Sequence, residues 1–371
     1  MRIRQFLIER WIENKFADGW NGLDLASSTG PAWSIQSLGL DGSDRDAIMN
    51  APVAYRSAHG GEELRHALAD AFGANPRQLQ VTTGASEALL ALFFTVAAPG
   101  TNVIVPEPGY SPFTALPESF GVEVRPYRLR RENNWRIDVD EIKRLVDGGT
   151  TLVLINSPHN PTGGIATDDD LDRLDDFMFV RGIVFVVDEV YSPIYHDAPT
   201  RSAVRLPHAT VVGDLSKALC LPGLRVGWIV EPDDRRRERL FDARAHFTVC
   251  NSSVCEDVAI AALKHRDRIL NTARARVSEN LPLLDRFFAA HDDLFGWIRP
   301  RGGLTAFPWL RNGQDGRALC TLLLKHGLLL LPGDCFGMPE HFRIGFGSPD
   351  AAELRDGLER FEGVLGAVAC T

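Results

Sequence analysis

A lysine, Lys217, stands behind an apolar run in the stretch Gly213-Asp214-Leu215-Ser216-Lys217-Ala218-Leu219-Cys220-Leu221-Pro222-Gly223-Leu224-Arg225-Val226-Gly227-Trp228. Pro-Gly punctuation and an arginine follow it. Two readings fit these residue types. As solvated charges, Lys217 and Arg225 would simply flank a turn. As chemistry, the Lys217 amine would form a Schiff base with a carbonyl cofactor while Ser216 and Arg225 hold that cofactor's phosphate. The second reading needs three further parts: a helix N-terminus to cradle phosphate, an acid to face a ring nitrogen, and a donor for a ring hydroxyl.

Each part has a candidate upstream. Val81-Thr82-Thr83-Gly84-Ala85-Ser86-Glu87, ahead of the apolar run Ala88 to Val96, reads as a strand end turning through glycine into a buried helix. The N–H groups of Gly84, Ala85 and Ser86 would stand at the positive end of that helix, a place for a phosphate or for an ordinary N-cap. Tyr110, after the strand Asn102 to Pro106 and between prolines, can stack on a flat ring or merely pack. The strand Thr151 to Ile155 runs into Asn156-Ser157-Pro158-His159-Asn160-Pro161-Thr162-Gly163, which puts amide groups on a strand edge where α/β folds bind ligands. The strand Gly182 to Val187 ends in Asp188-Glu189-Val190-Tyr191. An acid there would be buried and costly without a cationic partner such as a protonated pyridine nitrogen.

The elements that must position these residues alternate between apolar strands and helical spans from about residue 80 to 230, which predicts a mostly parallel sheet between helices. An amphipathic start around Phe6, Leu7, Trp11 and Phe16 leads to a short strand-like piece, Leu23 to Leu25, and then the small polar loop Ser27-Ser28-Thr29-Gly30-Pro31. Helical patterns run through 255–291, and short strands around glycine turns near Arg301, Leu328 and Phe342 predict a smaller α+β domain. We expect an N-terminal segment, 1–40, joining the small domain, a large domain over 41–280, and a small domain over 281–371.

The 371 residues carry no linker-like tract, and 44% hydrophobic with 24% charged residues describe an ordinary globular chain. A formal charge of -9 opposes nucleic acid, so a bound anion must be gripped by local groups. The start lacks a secretory pattern and no stretch is apolar enough to span a bilayer. Six cysteines without a CxxC pair imply reduced thiols, a cytoplasmic setting and no zinc site.

Taken together, Asn160-Pro161-Thr162-Gly163, Asp188-Glu189-Val190-Tyr191, Ser216-Lys217 and Pro222-Gly223-Leu224-Arg225-Val226-Gly227-Trp228 resemble the signature set of class I/II aminotransferases. These are fold-type-I enzymes that use pyridoxal 5′-phosphate (PLP). The resemblance spans essentially the whole chain in the family's order. It implies that Lys217 carries the Schiff base and later moves protons, that Asp188 pairs with the pyridine nitrogen, and that Asn160 and Tyr191 bond the ring hydroxyl. Gly84, Ala85, Ser86, Ser216 and Arg225 would bind the phosphate, and Tyr110 would stack on the ring. Tyr55 would reach the phosphate of a neighbouring subunit in a homodimer, and Arg343 would take the substrate's α-carboxylate through a two-point contact.

The pattern departs from the family near the N-terminus, where Ser27 to Trp33 replaces a Gly-x-Pro-x-Phe type loop, with Ser28 placed at the substrate. That loop, Leu221 to Trp228, Pro300 to Pro308 and Arg343-Ile344-Gly345-Phe346-Gly347 are similar to the capreomycidine synthase branch, cyclases that eliminate a hydroxyl from a hydroxyarginine and close a guanidine ring. Tyr55 and Tyr191 keep the ordinary aminotransferase pattern. Transamination of a free L-α-amino acid therefore stands slightly ahead of cyclisation, and a non-catalytic PLP-binding regulator far behind. Acidic residues in the substrate pocket would favour a guanidine-bearing substrate, and an apolar lining would count against it.

Overall fold

In the computed structural model, which describes residues 3–369, the apolar runs of the middle of the chain become one seven-stranded sheet. After a short strand β1 (Leu23–Asp24) come β2 (Leu79–Thr82), β3 (Asn102–Glu107), β4 (Glu123–Arg128), β5 (Thr150–Asn156), β6 (Val184–Asp188), β7 (Thr210–Asp214) and β8 (Gly227–Val230). The sheet order is β2-β8-β7-β6-β5-β3-β4, and β8 alone runs antiparallel. Leu152, Val153, Leu154 and Ile155 of β5 are all fully buried. A strand covered by helices on both faces has no polar side to show, which is why these strands read as unbroken apolar runs.

Parallel strands deliver their C-terminal ends to one edge of the sheet, and this edge gathers the polar residues. Asn156 closes β5 beside Asp188, which closes β6, and Asp214 at the end of β7 is paired with Gly227 at the start of β8. Arg225 therefore precedes its strand instead of following one. Because β8 is reversed, its N-terminal end still lies on the same edge.

The C-terminal part is built from short strands: β9 (Phe295–Gly296), β10 (Thr305–Ala306), β11 (Trp309–Leu310), β12 (Leu328–Leu329), β13 (Leu331–Pro332) and β14 (Phe342–Gly345). They pack with the helices Gly316–Lys325 and Ala351–Ala369 around an aromatic cluster that includes Phe287, Phe288, Phe295, Phe342 and Phe361. The N-terminal segment is bonded to this part. β1 pairs with β12, Trp11 Nε1 donates to the Leu330 carbonyl at 2.7 Å, and Gly345 N donates to the Leu25 carbonyl at 2.7 Å. The 25-residue helix Arg266–Ala290 runs through residue 280, so the division expected there falls inside a continuous element.

The amphipathic start differs in phase from the sequence reading. Ile8 is buried with Trp11 and Ile12 partly so, whereas Leu7 and Phe16 are exposed. The helix lasts only from Leu7 to Ile12 before a 3₁₀ turn, too short for one stripe to continue as far as Phe16. Met1, Arg2, Cys370 and Thr371 lie outside the described residues. No helix of the described residues is long and apolar enough to cross a membrane.

Candidate active site

A cavity of about 350 Å³ opens at the polar edge of the sheet, between it and the N-terminal segment. Ala85, Ser86, Tyr110, Asn160, Asp188, Tyr191, Ser216, Lys217, Arg225, Arg343 and Ser28 all line it, so distant stretches of sequence converge on one place. Two expected members do not line it. Gly84 lies beneath the Arg225 guanidinium, with φ +74°, where any Cβ would overlap that side chain. Glycine here lets arginine close over the helix N-terminus. Tyr55 is 87% exposed on the surface.

At one end, the helix Gly84–Val96 presents the first-turn N–H groups of Ala85 and Ser86. Arg225 Nη1 lies 3.3 Å from Ser216 Oγ and 3.1 Å from the Pro222 carbonyl, and Asn251 Nδ2 holds the Arg225 and Thr82 carbonyls at 3.0 Å each. Two hydroxyls, a guanidinium and a helix N-terminus around one space are the donor set a phosphate requires.

At the middle, Asp188 is buried and accepts from Val190 N at 3.1 Å through one oxygen. Its other oxygen has no hydrogen-bond partner among the described residues, and burial pushes the carboxyl up to about 7. Glu189 is pushed to a similar value by burial, but it faces away and accepts from Ser202 and Ala203. Strand alternation thus separates the two adjacent acids. The Tyr191 hydroxyl is buried close to the Ser28 hydroxyl, and burial raises its titration to about 12 against the pull of Arg343 and Ser28. Tyr110 packs edge-on against Phe6 and Phe113, at 5.7 and 5.8 Å between ring centres.

Lys217 is partly buried, and its Nζ donates to Ser28 Oγ at 3.1 Å. Burial lowers its pKa; Asp214 opposes that shift, while Arg343 and Arg225 add to it. Arg343 is 2% exposed and donates from Nη1 to Asn160 Oδ1 at 2.9 Å and from Nη2 to the Ala26 carbonyl at 2.5 Å. Its Nε is buried and unpartnered. Burial lowers its pKa, outweighing the opposing effect of Tyr191, Cys335 and Asp24, and no carboxylate is hydrogen-bonded to it among the described residues.

Asn156 stands where the sequence places an amide on the strand edge, whereas the lining residues Asp214 and Glu9 were not singled out from the sequence. Asn156 braces the edge, accepting from Asn160 N at 2.9 Å and donating to the Asp188 carbonyl at 3.1 Å. Asp214, 7% exposed, accepts from Ser216 N at 2.9 Å. Glu9, from the first helix, reaches the cavity mouth. Asp214 carries the same signal that marked Asp188, an acid closing an apolar strand; Glu9 carries none.

An unpaired buried carboxylate, a buried phenol and a phosphate-type donor set beside a desolvated lysine fit PLP in charge and donors, and the sheet is that of the fold-type-I PLP enzymes. The chain belongs to the aminotransferase class I and II family, whose model matches residues 48–361. It is 35% identical to capreomycidine synthase of Streptomyces vinaceus over 84% of this chain and 80% of that one. The structure of a PLP-dependent aminotransferase from Streptococcus suis superposes with a TM-score of 0.91 at 26% identity, covering 99% of each chain. That of the PLP-dependent cyclase OrfR gives 0.86 at 31% identity, covering 97% of each chain.

Proposed function

We propose that this protein binds PLP through Lys217 and acts on a free L-α-amino acid with a cationic side chain, removing a β-hydroxyl and closing a ring. One observation carries the substrate class: two carboxylates, Glu9 and Asp214, line the cavity beyond the one assigned to the cofactor. Of its positive groups, Lys15 is paired with Asp24 at 3.2 Å, and Lys217, Arg225 and Arg343 are assigned to cofactor, phosphate and α-carboxylate. Asp188 is assigned to the ring nitrogen. Glu9 and Asp214 both act on the Lys217 charge, and once that amine is committed to the cofactor a guanidinium-type side chain would answer them.

When bound, PLP supplies an electron sink for the pair left on the substrate's Cα after its proton is removed. The protein's own residues set up that removal. Arg343, held in place by Asn160 and Ala26, would grip the α-carboxylate and so fix the direction in which the Cα–H bond points. The Lys217 amine, its pKa lowered by burial, would take the proton. Asp188 would hold a proton on the ring nitrogen, and the phosphate cradle would resist sliding of the ring.

Elimination and ring closure are favoured over amino-group exchange, reversing the order expected from sequence, because the relatives at 35% and 31% identity are named as a synthase and a cyclase. Transamination is the second reading, supported by the 0.91 TM-score to an aminotransferase. A homodimer is supported by an exposed patch of Met49, Val53 and Tyr55, at 82%, 94% and 87%, which a partner subunit would cover.

Steady-state kinetics with β-hydroxylated L-amino acids carrying basic, neutral and acidic side chains, β-hydroxy-L-arginine among them, products followed by mass, test this reading. Basic substrates should lead by at least tenfold in kcat/KM; a preference for acidic or apolar side chains refutes it.

A further inference from the structure

Ser28 Oγ accepts a hydrogen bond from the Lys217 amine at 3.1 Å and reaches it from the N-terminal segment rather than from the sheet. Its neighbours do not compete for the role, because Ser27 Oγ and Thr29 Oγ1 are bonded to each other at 2.9 Å. Two residues upstream, the Ala26 carbonyl accepts from Arg343 at 2.5 Å. The short stretch Ala26 to Ser28 therefore runs from Arg343 to the Lys217 amine, and an amino acid held by the first with its Cα at the second would lie beside it. Ser28 is 9% exposed, so bulk water does not readily substitute for its hydroxyl.

We propose that Ser28 is a catalytic proton-transfer residue that relays to the departing β-hydroxyl the proton Lys217 has taken from Cα. The Cα–H bond breaks and its proton goes to the Lys217 amine. The Lys217 ammonium then gives a proton to Ser28 Oγ as Ser28 passes its own hydroxyl proton to the substrate's β-oxygen. The Cβ–O bond breaks, water leaves, and the electron pair from the Cα–H bond becomes the second bond between Cα and Cβ. Lys217 and Ser28 end as they began, and nothing is oxidised or reduced. Hydroxide is a poor leaving group and needs this proton, whereas chloride does not. This inference rests on the elimination reading above.

The test compares holoenzyme and its Ser28→Ala and Ser28→Thr variants on two probes, β-hydroxy-L-arginine and β-chloro-L-alanine, with cofactor content and the pH titration of the Lys217-linked absorbance band recorded for each. Ser28→Ala should keep its cofactor, lose roughly 10²-fold or more of hydroxide elimination, and retain chloride elimination within about threefold. Its absorbance midpoint should fall, since a hydrogen bond to the protonated nitrogen is gone, and Ser28→Thr should restore both. Equal losses on both probes would make Ser28 a mere support for Lys217, and no loss on either would remove it from the reaction; each overturns the proposal. If wild-type enzyme eliminates chloride but never water, the functional reading fails instead.

Discussion

Arg343 Nη1 lies 2.9 Å from Asn160 Oδ1, a contact between residues 183 apart in sequence. It joins the residue assigned to the substrate's carboxylate, on β14, to a residue assigned to the cofactor's ring hydroxyl, after β5. Substrate grip and cofactor grip are therefore one mechanical unit. Arg343→Lys should raise KM on the order of 10²-fold, because an ammonium cannot hold Asn160, Ala26 and a carboxylate through one planar fork. Steady-state kinetics would show it; an unchanged KM would place the carboxylate elsewhere.

Asp188 predicts a pH-dependent stability in cofactor-free protein. Its folded pKa of about 7 stands above the ordinary 3.8, so the folded state holds a proton that the unfolded state has lost. Stability falls as pH rises between those values, by a few kcal/mol at most. Asp188→Asn should therefore melt several degrees above wild type at pH 8, with the difference gone near pH 3. Adding PLP should reverse the ranking, because the ionised carboxylate then has a cation. Thermal melts at the two pH values, with and without PLP, would decide.

Glu9 should act on specificity alone. Glu9→Gln removes one of the two unassigned carboxylates while sparing every residue of the phosphate cradle. The loss in kcat/KM for basic substrates should be about fivefold, equivalent to about 1 kcal/mol at a partly exposed pair, with neutral substrates unaffected. Equal losses for both classes would contradict the charge argument.

Gly84→Ala should weaken PLP binding by displacing Arg225, whose guanidinium occupies the space of the new methyl group. The positive φ adds backbone strain at the same residue. Titration with PLP, followed by absorbance, should show at least a tenfold rise in Kd.

The readability of this chain follows strand geometry. Asp188, Asn160 and Lys217 were visible because each lies at or just beyond the end of a buried, largely apolar strand, a pattern that a sheet covered on both faces explains. Asp214 ended such a strand too, yet it was read as part of the run leading to the lysine. The contact of Ser28 with Lys217 spans 189 residues and leaves no local trace, although the loop's departure from the family pattern pointed to Ser28 as a pocket residue. Glu9 was hidden by helix phase: with Leu7 taken as inward, the cavity-facing side of a six-residue helix could not be assigned. The family resemblance located Tyr55 and the helix N-terminus located Gly84, but only the fold shows that one faces outward and the other lies under Arg225.

The most direct measurement is a single turnover of PLP-loaded enzyme with β-hydroxy-L-arginine, recording the cofactor's absorbance and the product's mass together. Loss of one water with the cofactor returned to its starting form is the predicted result. Conversion of the cofactor to its pyridoxamine form with release of a keto acid would contradict it.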